Sequence, residues 1–347
     1  MLTQDLDLAL RNAVGLRGSE DIFLLADENS MRFCLPEVRK TLTIDDNNIL
    51  CLPAGEEYKT LQTVEKIWNF LIDRQATRHS LVLILGGGVL TDMGGFAAST
   101  FKRGIGYVNI PTTLLAMVDA AAGGKTGFDY RGLKNEIGMF SSPQEMIVYP
   151  PFLNTLPHEQ LLSGYAEMLK HALIASPLEL IHVLAFDIDK PDWETLAELI
   201  QRSIDIKQYI VEQDPEETGL RKSLNFGHTI GHAIEEYSFQ NKEAKPLLHG
   251  FAVMYGIVAE MYLSMTKLGL QQQFLTQVVH FMTEHYGKPV CPCKDYDKLL
   301  DLMRHDKKNE HPGEISFALL RQVGNCRINQ HCTDDEIREA MDFLFNI

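Results

Sequence analysis

Two histidines stand four residues apart in the stretch NFGHTIGHAIE, residues 225–235. On a helix, His228 and His232 would lie one turn apart on the same face, which is a familiar arrangement for zinc ligands. A zinc site needs at least one further protein ligand, and this stretch contains no obvious one. A pair of histidines in the protein core is the competing interpretation. Any third ligand must therefore come from another part of the chain.

Glycines interrupt the same predicted helix. Gly227 and Gly231 are interleaved with a stripe at spacing i, i+3, i+7 that is formed by Asn225, His228 and His232. Each glycine inside a helix costs roughly 1 kcal/mol of helix stability relative to alanine. Two glycines so close together indicate that something approaches the backbone there, either a packed helix or a ligand.

A carboxylate and an amine form a second candidate pair. Glu167 and Lys170 are three residues apart on a helix predicted to begin near Pro157, so they share a face. The competing interpretation is an exposed ion pair, which would contribute little.

Two glycine-rich stretches are candidates for phosphate binding. In LVLILGGGVLTD, residues 81–92, a strand runs into three glycines, but Thr91 stands where the dinucleotide fingerprint needs its third glycine. In GGKT, residues 123–126, Asp119 stands where a Walker loop needs glycine. A ligand-free turn is the alternative for the first stretch. A solvated glycine-rich loop that presents Lys125 is the alternative for the second.

Hydrophobic periodicity divides the 347 residues into two halves, and this length favours two domains. Apolar runs at 22–26, 81–85, 107–110 and 146–149 alternate with helical patterns, which predicts an α/β domain with a largely parallel sheet over residues 1–151. Helical spacing at 158–175, 194–213, 226–237 and 250–268 predicts a mainly helical domain over residues 152–347, with one short strand near 315–320.

Charge and composition exclude several classes of partner. The net charge of −15 argues against nucleic acid and anionic membranes, and an anionic small molecule would need a local cluster of lysine and arginine. The chain shows no long apolar run and no secretory signal at its N-terminus, so a cytoplasmic protein is expected. The six scattered cysteines are then expected to be reduced, and Cys291-Pro292-Cys293 lacks the second cysteine pair of a metal site.

Taken together in chain order, these fragments resemble the 3-dehydroquinate synthase family. The resemblance covers nearly the whole chain, and its charged positions keep the family's mutual spacing. The matching segments are GEEYKT at 55–60, GGGVLTDMGGF at 86–96, KRG at 102–104, PTTLL at 111–115, VDAAAGGKTG at 118–127, LKNEIGMF at 133–140, TLP at 155–157, GYAEMLK at 164–170, ETGLRKSLNFGHTIGHAIE at 217–235, LLHG at 247–250 and HDKK at 305–308.

The resemblance implies a reaction and a fold. The family converts 3-deoxy-D-arabino-heptulosonate 7-phosphate to 3-dehydroquinate and phosphate, with NAD used and regenerated in each turnover. The implied steps are oxidation of a ring hydroxyl, elimination of phosphate, reduction, ring opening and an internal aldol closure. Oxidation acidifies the neighbouring C–H and so makes the elimination feasible. The implied fold is a Rossmann-like α/β domain followed by a mainly α-helical domain, and a homodimer is expected.

The implied metal ligands differ from those that helical spacing nominates. By resemblance, Glu167, His228 and His249 hold a divalent ion, zinc or cobalt, and leave positions open for substrate hydroxyls. The resemblance implies that His232, which helical spacing alone pairs with His228, instead contacts the substrate near its phosphate.

The remaining site residues also follow from the resemblance. The substrate set supplies the basic cluster that an acidic protein needs to bind an anionic sugar phosphate. Its members are Arg103, Asp119, Lys125, Asn135, Lys170, Lys207, Arg221, Asn225, His232 and Lys307, with Lys134 and Glu217 in support and Lys308 as the alternative to Lys307. The NAD set comprises Asp27, Asn29, Glu56, Lys59, Gly87, Gly88, Asp92, Thr112, Thr113, Lys125, Lys134, Phe152 and Thr155, so Lys125 and Lys134 belong to both sets. Asp27 directly follows a predicted strand, where a ribose-binding acid is expected.

Three departures from the family pattern stand out. Phe251 replaces a common glutamate after His249-Gly250, Asp129 replaces a frequent asparagine, and the stretch 236–248 is longer than in many members. None removes a ligand or a substrate-contacting charge. Two other activities compete, those of another sugar phosphate cyclase and of a metal-dependent alcohol dehydrogenase of the glycerol dehydrogenase type.

Overall fold

The computed structural model describes residues 2–131, 133–240, 246–305 and 313–347. The chain forms two compact units, Met1–Pro157 and His158–Ile347. This division differs from the predicted boundary after residue 151, which falls inside the 3₁₀ helix Pro150–Thr155. The ring of Phe152 packs edge-on against Tyr149, with 5.1 Å between the ring centroids, so this short helix stays with the α/β unit.

A five-stranded parallel sheet organises the first unit, in the order β2-β1-β3-β4-β7. The residues of β1 up to Ala26 and all of β3 are buried, as expected for strands covered on both faces. The predicted α/β class with a parallel sheet is therefore confirmed. The strands of this unit are β1 Ile22–Asp27, β2 Ile49–Leu52, β3 Leu81–Gly86, β4 Gly106–Pro111, β5 Lys125–Tyr130, β6 Leu133–Phe140 and β7 Glu145–Met146.

Helices bury apolar stripes against this sheet. In the helix Leu61–Asp73, the residues Val64, Ile67 and Leu71 follow a helical spacing and pack in one core cluster with Phe23 and Val82 of the strands. The helices of the unit are α1 Leu6–Val14, α2 Glu28–Phe33, α3 Leu35–Val38, α4 Leu61–Asp73, α5 Gly88–Thr100 and α6 Leu114–Val118.

An antiparallel hairpin, β5–β6, occupies the region that the sequence indicated as a glycine-rich loop. Lys125 begins a strand, so the loop interpretation of this segment is wrong. Gly127 pairs with Gly138 across the hairpin, and a Cβ on Gly127 would lie 2.5 Å from the carbonyl oxygen of Ile137. Because most side chains of β6 are exposed and of mixed polarity, the alternation that marks a half-buried strand is missing.

The second unit is mainly helical, as predicted. Its predicted strand near 315–320 is also present and pairs with a neighbour in an antiparallel hairpin. No helix among the described residues combines the length and apolar character needed to cross a membrane. The elements are α7 His158–Ala175, α8 Pro177–Ala185, α9 Trp193–Gln213, α10 His228–Gln240, α11 His249–Leu268, α12 Gln272–His285, α13 Tyr296–Arg304, β8 Ser316–Gln322, β9 Asn325–His331 and α14 Asp334–Phe345.

The six cysteines are all free thiols, which agrees with the expectation of reduced cysteines. Burial raises the pKa of the Cys34 and Cys326 thiols to about 12, so both stay protonated and unreactive near neutral pH.

Candidate metal centre and cofactor site

Three helices of the second unit bring one carboxylate and two imidazoles together. Glu167 lies within α7 and is completely buried. Its Oε1 atom is 3.3 Å from Nε2 of His228 and 3.3 Å from Nε2 of His249. The two histidines are the first residues of α10 and α11, so two helix starts converge on the middle of α7.

This donor set fits a divalent transition metal. One carboxylate with two neutral imidazoles is a common catalytic zinc set that leaves a position open for substrate or water. Ligand atoms bonded at about 2.0 Å around a tetrahedral ion lie about 3.3 Å apart, which is the separation seen here between the carboxylate oxygen and each imidazole nitrogen. The ligand atoms of Glu167, His228 and His249 all lie within 4.8 Å of one another.

His232 lies beside this set, although helical spacing nominated it as a ligand. Its ring centroid is 5.3 Å from that of His228 and 5.9 Å from that of His249. Together with Glu235 and His249 it forms a second group whose ligand atoms also lie within 4.8 Å of one another. The group around Glu167 instead joins His228 to the distant His249, as the family resemblance implied.

The hydrogen-bond partners of the two Nδ1 atoms determine which nitrogen of each imidazole can bind a metal. The carbonyl oxygen of Phe226 can only accept, so Nδ1 of His228, 3.1 Å away, must carry the proton. Nδ1 of His249 lies 3.1 Å from Oε2 of Glu235, a buried carboxylate on α10. In a neutral imidazole each Nε2 then keeps its lone pair, and both Nε2 atoms point at Glu167.

The pKa shifts of Glu167 and His249 also favour a bound cation. Burial raises the pKa of the Glu167 carboxyl, but Lys170 and His228 lower it more, so it lies well below its usual range. Burial lowers the pKa of His249, but Glu235 and Glu167 outweigh this and raise it to about 10. Both shifts favour a negative carboxylate with a positive charge beside it, which is the charge pattern that suits a bound cation.

Glycines allow the backbones of α10 and α11 to approach each other closely. A Cβ on Gly256 would lie 1.9 Å from the carbonyl oxygen of Gly227 and 2.6 Å from the backbone nitrogen of Gly231. A Cβ on Gly231 would lie 3.0 Å from the carbonyl oxygen of Ala252. Of the two explanations for the glycines of NFGHTIGH, a packed helix is thus correct, and Gly256 is the partner that the sequence did not reveal.

A third glycine allows the start of α11 to pack closely against α7. A Cβ on Gly250 would lie 1.9 Å from the carbonyl oxygen of Ser163, and the backbone N–H of Gly250 donates to Oγ of Ser163 at 3.0 Å. Because His249 directly precedes Gly250, this close approach carries His249 towards Glu167 on the same helix as Ser163.

A buried carboxylate anchors the start of α10. Glu260 of α11 is fully buried and accepts from the backbone N–H of Gly227 at 2.6 Å and from that of Ile230 at 3.1 Å. A carboxylate at a helix N-terminus satisfies unpaired N–H groups and complements the helix dipole. Glu260 therefore fixes the turn from which His228 projects, a role that helical spacing within residues 225–235 could not indicate.

We expect Gly256→Ala to weaken both the fold and zinc retention. The added methyl group meets backbone atoms that cannot rotate away, and overpacking of this kind typically costs about 1–3 kcal/mol. Thermal unfolding by circular dichroism and zinc content of the purified variant measure the two effects. Gly231→Ala, whose methyl group meets backbone only at 3.0 Å, is the milder comparison. Equal melting temperatures for Gly256→Ala and the parent chain would contradict this account of the helix packing.

Lys170 forms a buried ion pair with the other oxygen of Glu167. Both side chains are at most 2 % exposed, so the interpretation as an exposed pair is wrong. A buried pair is retained at a desolvation penalty, which is typical of functional charges more than of structural ones.

Further predicted substrate residues of the second unit lie on elements that pack against α7. Lys207 of α9 and Arg221 of the 3₁₀ helix Leu220–Asn225 are buried, and these two elements contact each other and α7. The guanidinium of Arg221 donates to the carbonyl oxygen of Pro215 at 2.8 Å. The amide of Asn225 donates to Oε1 of Glu217 at 3.2 Å. Lys170, Lys207 and Arg221 are thus three buried basic residues on elements that contact one another.

The loop before this 3₁₀ helix is held by Asp214. Its carboxylate accepts from the backbone N–H groups of Thr218, Gly219 and Arg221 at 3.0, 2.7 and 2.9 Å. Burial raises the pKa of Asp214, but the three backbone donors outweigh it and bring the pKa to about 2. Asp214 was not predicted, and it orients the segment that carries Glu217 and Arg221.

In the first unit, predicted NAD residues gather at the carboxyl ends of the strands. Asp27 ends β1, Gly87 and Gly88 follow β3, and Thr112 and Thr113 follow β4. The strand order places the switch in direction between β1 and β3, where open α/β sheets bind their ligands. The N-terminus of α5 has no side-chain cap, so its backbone N–H groups remain for an anion such as a pyrophosphate.

The glycines after β3 also have a packing role. A Cβ on Gly87 would lie 3.1 Å from Cγ2 of Thr113, and one on Gly88 would lie 2.9 Å from Cβ of Ala120. Asp27 likewise has a structural role, since its Oδ1 accepts from the backbone N–H groups of Asn29 and Ser30 at 2.9 Å and caps α2.

A cluster in the first unit joins residues from both predicted sets. Nζ of the buried Lys59 contacts Oδ2 of Asp92 at 2.6 Å and Oδ1 of Asn135. The backbone N–H of Asn135 donates to Oδ1 of Asp129 at 2.8 Å. The hairpin β5–β6 is therefore tied to Lys59, and Asp129, one of the departures from the family pattern, supplies part of the tie. A second link in this region pairs Lys134 with Glu56 at 3.6 Å.

Backbone strain accompanies several predicted substrate residues. Arg103, Asn135 and Glu217 have φ of 69°, 51° and 59°, in the region that side chains other than glycine rarely adopt. Strain of this kind concentrates at functional sites. Arg103 and Lys125 are exposed, and Asp119 lies between α6 and the 3₁₀ helix Ala120–Ala122.

Other predicted residues are placed as follows. Phe152 is buried in the first unit, whereas Thr155 and Asn29 are exposed there. Phe251 packs edge-on against Tyr286, the residue that follows α12, with ring centroids 5.0 Å apart. Lys307 and Lys308 lie outside the described residues, as do residues 241–245 of the long stretch 236–248.

Comparison with known protein families covers most of the chain. Residues 49–163 match the family model described as 3-dehydroquinate synthase N-terminal. Residues 164–309 match the model described as 3-dehydroquinate synthase C-terminal.

Individual relatives give the same result. A 3-dehydroquinate synthase from Parabacteroides distasonis is 46% identical over 343 residues, which is 99% of this chain and 96% of the relative. One from Ruminiclostridium cellulolyticum is 38% identical over 90% of this chain and 87% of the relative.

Solved structures show the same fold. The 2-epi-5-epi-valiolone synthase from Streptomyces hygroscopicus subsp. jinggangensis, with NAD⁺ and Zn²⁺ bound, is 26% identical with a TM-score of 0.82, over 99% of this chain and 95% of that one. A 2-deoxy-scyllo-inosose synthase with NAD⁺ and Co²⁺ also gives 0.82, at 22% identity over 96% of this chain and 94% of that one. The motifs, the two matched domain models and the near full-length relatives agree, and the chain belongs to the 3-dehydroquinate synthase family.

Proposed function

We propose that this chain converts 3-deoxy-D-arabino-heptulosonate 7-phosphate to 3-dehydroquinate and phosphate, with NAD and a divalent metal ion as cofactors. The observation that carries the proposal is the group formed by the buried Glu167 with His228 and His249, beside the buried Lys170, in a chain that belongs to this family. When bound, NAD would accept and return a hydride, and the metal ion would polarise a substrate hydroxyl.

Glu167, His228 and His249 are the residues that would hold the metal ion. Their support is the shared carboxylate oxygen, the protonation of both imidazoles at Nδ1 and the burial of Glu167. We assign zinc or cobalt because nitrogen and oxygen donors of this kind suit both ions.

Lys170, Lys207 and Arg221 would bind the anionic groups of the substrate, with Asn225 and His232 as polar neighbours. Each buried cation raises the local potential in a protein whose net charge is −15. A carboxylate or phosphate accepts charge-assisted hydrogen bonds from such groups, which orients the sugar ring for proton removal and elimination. Arg103, Asp119, Lys125, Lys134, Asn135 and Glu217 complete the proposed substrate set, and Lys307 is retained from the family pattern.

The first unit would bind NAD at the carboxyl ends of β1, β3 and β4. The uncapped start of α5 would receive the pyrophosphate, and Asp27 would accept a ribose hydroxyl with its second carboxylate oxygen. Asn29, Glu56, Lys59, Asp92, Phe152 and Thr155 remain proposed contacts of the same cofactor.

We also propose a cytoplasmic homodimer. Free cysteines support a reducing compartment. The hairpin β5–β6 exposes apolar side chains, with Leu133 and Phe140 54% and 58% exposed, which are suitable for an interface with a second copy.

A panel of sugar phosphates tests the proposed activity. Purified chain with NAD and zinc or cobalt should release phosphate and form dehydroquinate from the heptulosonate phosphate, and should leave glucose 6-phosphate and sedoheptulose 7-phosphate unchanged. These two compounds represent the other phosphorylated sugars that a rival sugar phosphate cyclase would convert. Turnover of either sugar with an inert heptulosonate phosphate would overturn the proposal in favour of another sugar phosphate cyclase.

A further inference from the structure

We infer that Glu235 is a positioning residue of the metal centre, which holds His249 in the tautomer and orientation needed for metal binding. The inference rests on the proposed metal site and adds a residue outside its three ligands. It concerns a contact in the second unit between the carboxylate of α10 and the first residue of α11.

Glu235 is placed for this role by the register of α10. It follows His228 by seven residues, which is close to two helical turns, so both side chains lie on the same side of the helix. His228 reaches Glu167 from the start of α10, while Glu235 reaches His249 two turns further on. One helix thus supplies both a ligand and the carboxylate behind the second imidazole.

The contact is specific to one nitrogen of the ring. Oε2 of Glu235 lies 3.1 Å from Nδ1 of His249, whereas Nε2 of the same ring lies 3.3 Å from Oε1 of Glu167. A carboxylate accepts the Nδ1 proton, leaves the lone pair on Nε2 and increases the basicity of the imidazole. Glu235 is 5% exposed, so water competes little for this hydrogen bond.

His249 needs such support more than His228 does. Nδ1 of His228 donates to the backbone carbonyl of Phe226, which is fixed by the fold around Gly227. Among the described residues, neither ring nitrogen of His249 has a backbone hydrogen-bond partner, and the side chain is 28% exposed against 10% for His228. The carboxylate of Glu235 therefore restricts a ring that would otherwise sample other rotamers.

An alternative role for Glu235 is direct ligation. Glu235, His232 and His249 also have ligand atoms within 4.8 Å of one another. That arrangement would use the Nδ1 lone pair of His249 and would bind an ion in addition to the one beside Glu167, because Nε2 faces Glu167. The two roles predict different zinc stoichiometries.

Zinc affinity of Glu235 variants, measured by competition with a chromophoric chelator, tests the inference. Loss of a carboxylate behind a metal-bound histidine typically weakens binding about 10- to 100-fold, and we expect a loss in this range for Glu235→Ala. Glu235→Gln, which keeps an oxygen acceptor but no charge, should fall between Glu235→Ala and the parent chain. The Nδ1–H proton resonance of His249 should lie far downfield in the zinc-bound parent and move upfield in Glu235→Ala.

Thr229→Val is the matched control, because Thr229 lies on the same helix and its buried hydroxyl donates to the carbonyl oxygen of Ser316 at 3.0 Å. This variant also loses a hydrogen bond of α10, but one that involves no imidazole, so it should keep the parent's zinc affinity. If the parent binds no zinc, the proposed metal centre itself fails. If the parent binds zinc and Glu235→Ala binds it equally tightly, the positioning role is wrong. Two ions per parent chain and one per Glu235→Ala chain would show ligation in its place.

Discussion

Replacing His249 by alanine is expected to remove nearly all zinc from the purified chain, whereas replacing His232 is expected to leave about one ion per chain. His249 is one of three proposed ligands, and a site reduced to two protein donors holds zinc weakly. His232 is outside the group around Glu167, with its ring centroid 5.9 Å from that of His249. His228→Ala should behave like His249→Ala.

Atomic emission measures the zinc content of the three variants, and circular dichroism shows whether each is folded. His232→Ala should keep its metal and still lose much of its turnover, because His232 is proposed to contact substrate. Helical spacing alone predicts the opposite pair of results for His232 and His249. A folded His232→Ala chain without zinc, beside a His249→Ala chain that retains it, would contradict the proposed ligand set.

Loss of the buried cations is expected to damage turnover far more than folding. Removing one charge-assisted hydrogen bond to an anion costs about 1.5–3 kcal/mol, so Lys170→Ala and Arg221→Ala should each lower kcat/KM by roughly ten- to hundredfold or more. Lys170→Ala also leaves Glu167 without the amine beside its carboxylate, so part of its loss reflects a weaker metal site.

Lys294→Ala, which removes an exposed lysine of the same unit, is the control and should keep full activity. Steady-state kinetics at low substrate concentration, together with melting temperatures, separate loss of catalysis from loss of the fold. Normal turnover by both Lys170→Ala and Arg221→Ala would show that the anion site has been misplaced.

The central strands could be predicted from the sequence because burial on both faces leaves a clear pattern. The runs IFLLA and LVLIL are apolar at every position and became β1 and β3. The hairpin β5–β6 leaves no such pattern, since most of β6 is exposed and Gly127 and Gly138 pair where side chains would otherwise mark the strand. Its antiparallel pairing depends on contacts that local periodicity does not encode.

Local spacing in the sequence predicted only part of the metal centre. The glycines of NFGHTIGH indicated a close approach, but the approaching helix carries Gly256, which lies outside that stretch. The residues around His249 give no sign that it lies near Glu167. The packing of two different helices brings the two side chains together, and spacing within one helix cannot predict such a contact. The family pattern supplied that pairing. Glu235 was available as the residue two turns after His228, but only the structure shows His249 facing it.

A single reaction in which phosphate, dehydroquinate and NADH are all measured tests the proposed synthase activity most directly. The zinc-loaded chain is mixed with NAD and the heptulosonate phosphate, and released phosphate and dehydroquinate are measured while NADH absorbance is recorded. Because oxidation and reduction take place within one turnover, phosphate and dehydroquinate should form in equal amounts with no net NADH. NADH that grows in step with substrate consumption, without dehydroquinate, would instead identify a dehydrogenase and contradict the proposed function.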